Sequence, residues 1–76
     1  MKEFLEYMAK ALVSEPDQVE VQVVEGERSM ILQLRVAPDD VGRVIGKNGR
    51  TAQAMRTLIK AAAVREGCNA IVEIMD

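Results

Sequence analysis

Val44-Ile45-Gly46-Lys47-Asn48-Gly49-Arg50 decides how this chain is read. Two glycines bracket two polar residues, a short apolar segment leads in and a long amphipathic one leads out. Glycine lacks a Cβ, so it accepts positive φ and adds no bulk where backbone approaches another molecule. The flanking apolar residues recur at helical spacing: Val41, Val44 and Ile45 before the loop, and Ala52, Met55, Leu58, Ile59 and Ala62 after it. The loop therefore joins a short helix, about Asp40 to Ile45, to a long one, about Arg50 to Arg65. Free N–H groups and the positive dipole end of the long helix converge on the loop, which suits a phosphate.

Charge is segregated around the same stretch. Val41 to Arg65 holds six of the ten basic residues (Arg43, Lys47, Arg50, Arg56, Lys60, Arg65) and none of the twelve acidic ones. A chain of net charge −2 thus splits into a segment of +6 and a remainder of −8, which points to a polyanionic partner.

Working outward, Phe4, Leu5, Met8, Ala9 and Leu12 give a first helix from about Lys2 to Val13, stopped at Ser14-Glu15-Pro16-Asp17. Val19, Val21 and Val23 alternate with Glu20 and Gln22 as a strand, and Met30 to Val36 forms a second strand after the Glu25–Ser29 turn, making an antiparallel hairpin. Pro38-Asp39-Asp40 opens the short second helix, with Asp39 placed as its N-cap and Gly42 permitting close packing within it. Gly67 ends the long helix, and Asn69 to Met75 is a last strand with Ala70, Val72 and Ile74 inward. The order is α-β-β-α-α-β. The two-helix crossover makes the second and third strands parallel. The expected fold is a single α+β domain over residues 1–76, two layers, with a three-stranded mixed sheet and three helices on one face. The other face carries Gln22, Gln33, Arg35 and Glu73, but also Ile31, Ile71 and Met75, which are either scattered surface apolars or a partner patch.

Composition narrows the function. Seventy-six residues make one small domain, with a 49% apolar content sufficient for one core. No apolar run reaches the roughly 20 residues of a membrane span. No secretory signal opens the chain, and Cys68 is alone, so a cytoplasmic location is expected. There is no histidine, no carboxylate pair near the glycine loop and no activated nucleophile; an enzyme, a cofactor, a metal or a small-molecule substrate is not expected.

Other uses of the glycine motif fit less well. Asn48-Gly49 suits a type I′ hairpin, but its flanks are helical. A P-loop requires Gly-x-x-x-x-Gly-Lys-Ser/Thr; Gly42 to Gly46 is one residue short and Asn48 replaces the hydroxyl. A DNA-reading helix-turn-helix has no sheet and a longer first helix. An RRM carries aromatics on its strands, and here the aromatics are only Phe4 and Tyr7.

Val44-Ile45-Gly46-Lys47-Asn48-Gly49-Arg50 resembles the signature of the KH domain, whose Gly-x-x-Gly loop clamps the backbone of about four single-stranded nucleotides. The element order resembles the type II arrangement of bacteria. The resemblance covers essentially the whole chain and is nearest to the KhpA-type small bacterial single-KH proteins. It implies a single-stranded RNA-binding, chaperone-like regulator linked to cell elongation and division. It also implies a homodimer, or a heterodimer with a larger KhpB (Jag/EloR)-type RNA-binding protein. By position, Gly46 and Gly49 are the loop glycines, Lys47 and Asn48 the middle pair, and Ile45 an apolar groove residue. Val44, Ile45, Arg50, Thr51 and Gln53 are expected to line a base groove, with Arg43, Lys47 and Arg50 supplying charge. Arg56 and Lys60 serve either solubility or RNA contact. Without aromatics a lone module should bind weakly, on the order of micromolar, and gain from pairing. The competing expectation is an interaction module that acts mainly through a protein partner.

Overall fold

The computed structural model describes residues 1–75. Helix α1 spans Lys2–Leu12, strand β1 Glu20–Glu25 and strand β2 Ser29–Arg35. Helix α2 spans Val41–Ile45, helix α3 Arg50–Arg65 and strand β3 Asn69–Met75. The sheet order is β1-β2-β3, with β1 antiparallel and β3 parallel to β2. The fold is the expected α+β arrangement of type II order.

Period-two alternation sets which residues meet the helices. Val21, Leu32, Leu34, Ala70 and Val72 are buried beneath them, where Leu5 and Ala9 of α1, Val44 of α2, and Met55, Ile59 and Ala63 of α3 close the core. The outer face repeats the strand register in rows. Val24, Ile31 and Ile71 form an apolar row, and Gln22, Gln33 and Glu73 the polar row beside it. In that second row Gln33 Nε2 donates to Glu73 Oε1 at 3.3 Å; Arg35 makes no ion pair among the described residues.

The end of α3 explains the turn into β3. Gly67, at φ 75°, donates to the Val64 carbonyl at 3.1 Å, and Cys68 N–H donates to Ala63 at 3.0 Å. This is the paired six-to-one and five-to-two closure of a Schellman motif. Asn69 N–H then donates to the Arg28 carbonyl at 2.9 Å, tying the start of β3 to the hairpin turn.

Three expectations, for Asp39, Leu58 and Gly42, need correction. Asp39 does not cap α2: it is exposed, and Pro38–Asp40 forms a single 3-10 turn with Asp40 at the N-cap position. Leu58 is 48% exposed and lies outside the core, because the apolar arc of α3 is wider than the sheet beneath it can cover. Phe4 and Leu12 on α1 are exposed for the same reason. Gly42 packs against nothing; a Cβ there would meet no atom within 4 Å.

Candidate nucleic-acid interface

The two loop glycines are held in left-handed backbone for different reasons. Gly46 has φ 77° and ψ 174°, and a Cβ built on it would lie 2.6 Å from Thr51 Cβ and 2.9 Å from Thr51 N, overlapping Thr51 Oγ1 as well. It is therefore glycine because the first turn of α3 packs on it. Gly49 has φ 74° and ψ 11°, yet a Cβ there would meet nothing within 4 Å. Its missing side chain leaves open space outside the loop. Between them Asn48 sits at φ 58° and ψ 26°, a region asparagine tolerates better than most residues. Gly46 N–H closes α2 on the Gly42 carbonyl at 2.9 Å, and Gly49 N–H bonds the Gly46 carbonyl at 3.2 Å, so the loop is one tight turn.

Among the described residues, no side chain caps the N-terminus of the sixteen-residue α3. Its first-turn N–H groups are left without side-chain acceptors, beside the exposed Lys47 and Arg50. Backbone donors, two cations and a glycine that opens the approach therefore converge at one end of α3, which is what an anionic group requires.

A groove leads away from this end between α3 and the edge strand β3. It encloses about 210 Å³ and is lined by Gln53, Arg56, Thr57 and Lys60 on the helix side and by Ala70, Ile71 and Val72 on the strand side. Arg56 bridges the two walls: its Nε donates to the Val72 carbonyl at 3.3 Å. Thr57 Oγ1 donates to the Gln53 carbonyl at 3.0 Å.

The angle of α2 is set from a distant part of the chain. Asp40 is fully buried and accepts from Ser14 N–H at 3.1 Å and Ser14 Oγ at 2.8 Å on one carboxylate oxygen, and from Glu15 N–H at 3.2 Å on the other. Arg43 Nε lies 3.3 Å from the same carboxylate. The Ser14 backbone N–H is the main cause of an Asp40 acidity stronger than that of an ordinary carboxyl; burial opposes it, and the Ser14 hydroxyl, Glu15 N–H and Arg43 reinforce it. The carboxylate thus pins the turn after α1 to the start of α2, one helix length from the loop.

A family model described as KhpA/KhpB, KH domain, matches residues 2–74. The chain belongs to this family. Among its relatives, "RNA-binding protein KhpA" of Clostridium acetobutylicum is 59% identical over 75 residues, covering 99% of this chain and all of the relative. The protein of the same name from Chlamydia trachomatis is 45% identical over 76 residues, covering this chain fully and 97% of the relative. A solved structure of Aquifex aeolicus Era bound to GDP and AlF4⁻ aligns with a TM-score of 0.64 and 18% identity. That likeness covers 95% of this chain but 28% of Era, and it bears on the fold alone.

Within this KH domain, the residues singled out in the sequence separate into groups. Gly46, Lys47, Asn48, Gly49 and Arg50 form the loop and its rim, with Ile45 39% exposed beside it and Gln53 in the groove wall. Val44 does not line the groove: it has no exposed surface and belongs to the core, since helical spacing turns it toward Ile59 and the sheet while Ile45 faces out. Thr51 is half-buried against Gly46 and supports the loop from within. Arg43 spends much of its charge on Asp40, which leaves Lys47 and Arg50 as the unpaired cations of the loop among the described residues. The strand wall of Ala70, Ile71 and Val72 was missing from the sequence reading. Its only signal was the basic character of α3, which carries Arg56 and Lys60 toward it.

Proposed function

We propose that the chain binds single-stranded RNA, with the Gly46–Gly49 loop holding the sugar–phosphate backbone and the α3–β3 groove receiving bases. One observation carries this reading: Gly49 is left-handed with empty space outside it, at the uncapped start of α3 between Lys47 and Arg50. The relatives' name, RNA-binding protein KhpA, supports the nature of the ligand. The test is the double substitution Lys47→Asp and Asn48→Asp. Aspartate tolerates the backbone of position 48 nearly as well as asparagine, so thermal stability should hold. Two carboxylates placed where phosphates bind should lower RNA affinity by at least about ten-fold, the equivalent of 1.4 kcal/mol. Unchanged RNA binding in a folded double variant would remove the loop from the mechanism.

Pairing is the second part of the proposal. The helical layer leaves Phe4, Tyr7, Leu12, Leu58 and Val64 exposed, between 36% and 74% each. Such a surface suits a second KH module, either another copy or a KhpB-type protein, and pairing raises avidity for a longer strand without new contacts. Sedimentation at micromolar concentration, alone and with a KhpB-type partner, measures it; a monomer in both cases overturns it. The regulatory role tied to cell elongation and division, and the cytoplasmic location, follow from the same family reading. A deletion strain of normal length and division would contradict that role.

A further inference from the structure

We infer that the α3–β3 groove contains a base-selecting subsite in which Arg56 reads an acceptor pair on one base, the N7 and O6 edge of guanine. The inference rests on the RNA-binding reading above and deepens it.

The geometry begins with the sheet. β3 is an edge strand, so every second residue turns its backbone N–H and C=O away from β2 and toward open space. Val72 is one of these, because its carbonyl accepts from Arg56 Nε across the groove at 3.3 Å. The bond has two consequences. It neutralises one backbone acceptor of the edge, and it fixes the roll of the guanidinium plane. Arginine has five N–H donors in a rigid fork, and one is used. The other four, on Nη1 and Nη2, remain for a ligand, held at one point instead of sweeping through solvent.

The surroundings favour a base over a phosphate. Arg56 lies six residues along α3 from Arg50, about 9 Å at the helical rise, beyond the loop that collects the phosphates. Ala70 and Val72 are buried and Ile71 belongs to the outer sheet face, so the wall that opposes Arg56 is the backbone edge of β3, whose outward N–H and C=O groups suit the polar edge of a base. Thr57, the nearest hydroxyl on the helix wall, already donates to the Gln53 carbonyl and offers a ligand only acceptor capacity. The groove therefore presents a planar double donor beside the backbone edge of β3. Guanine supplies two acceptors side by side to such a fork, whereas adenine places an amino donor where O6 would be. Lys60, the other cation of the groove, is a point charge without that bidentate geometry.

The test uses fluorescence anisotropy with short oligouridines carrying one guanosine at each position in turn, compared with adenosine, inosine and 7-deazaguanosine at the same positions. At one position guanosine and inosine, which share N7 and O6, should bind about ten-fold more tightly than adenosine, and 7-deazaguanosine should lose most of the gain. Arg56→Lys keeps the charge but not the fork; it should abolish the preference while leaving plain oligouridine binding within about three-fold, as one preserved charge predicts. Absence of a guanosine preference in wild-type protein that still binds oligouridine overturns the subsite and leaves the loop mechanism intact. An equal loss on every oligonucleotide in Arg56→Lys and Arg56→Gln, with a reduced salt dependence in the glutamine variant, makes Arg56 a phosphate contact and also overturns it. Wild-type protein that binds no oligonucleotide refutes the RNA-binding reading itself.

Discussion

Replacing each loop glycine by alanine should separate folding from binding. At Gly46, alanine must adopt φ 77° and ψ 174°, a region occupied almost only by glycine, at about 1–3 kcal/mol. Its Cβ also falls 2.9 Å from Thr51 N, a backbone atom that cannot yield without shifting the first turn of α3; such overpacking adds about 1–3 kcal/mol. At Gly49, φ 74° and ψ 11° are ordinary left-handed values, costing alanine about 1–2 kcal/mol, and no atom lies within 4 Å of the new methyl. A domain of this size loses about 4–8 °C of melting temperature per kcal/mol. Gly46→Ala should thus lower Tm by at least about 8 °C, and Gly49→Ala by less, on paired circular-dichroism melts. In RNA titrations below both transitions, Gly49→Ala should bind poorly although folded, since its methyl occupies the approach to the loop. If Gly46→Ala melts at or above Gly49→Ala, the assignment of one glycine to packing and the other to the ligand is wrong.

Three further outcomes follow from the same structure. Asp40 has a folded pKa below the ordinary 3.8, so the stability it contributes is complete above that value and is lost as pH falls below it; Asp40→Asn should flatten the acid limb of a Tm-against-pH curve, and an unchanged limb would deny the carboxylate this role. Leu58→Ala should cost under about 1 kcal/mol while Ile59→Ala, fully buried one residue away, costs about 2–5 kcal/mol by urea unfolding; equal costs would contradict the exposure of Leu58. If Lys47 and Arg50 make the phosphate contacts, the single-strand salt slope should be about 1.4, a loss of roughly sevenfold between 50 and 200 mM salt; a slope several times steeper would mean that the whole basic face of α3 is engaged.

Most of the fold was legible because its signals are local. Alternating valines mark β1, proline ends the region of α1, and the period of α3 begins at Arg50, where the helix does. The loop was legible for the same reason, with both glycines and the charge lying within a few residues. What escaped depends on partners distant in sequence. Nothing local tells Asp39 from Asp40; the choice is made by Ser14, 26 residues away, whose N–H and hydroxyl reach only one of them. The strand side of the groove escaped because β3 becomes a wall only when it lies at the sheet edge, which the order of strands decides. Leu58, Val44 and Gly42 show that a helical period ranks residues around an axis but does not say how wide a neighbour covers them.

β2 leads into α2 and α3 leads into β3, and β2 and β3 are paired along their length from Ser29–Asn69 to Arg35–Met75. Both arms of the glycine loop thus spring from one continuous ladder, and Asp40 braces the first arm against the turn after α1. Such a jaw cannot widen without parting β2 from the edge strand β3. On the proposed RNA-binding reading, it would meet its ligand preshaped, and the loss of freedom on association would fall mainly on the flexible strand. Recognition would then follow how readily a strand straightens and unstacks, so two RNAs with identical contacts to the loop should differ in affinity when one of them must first unfold.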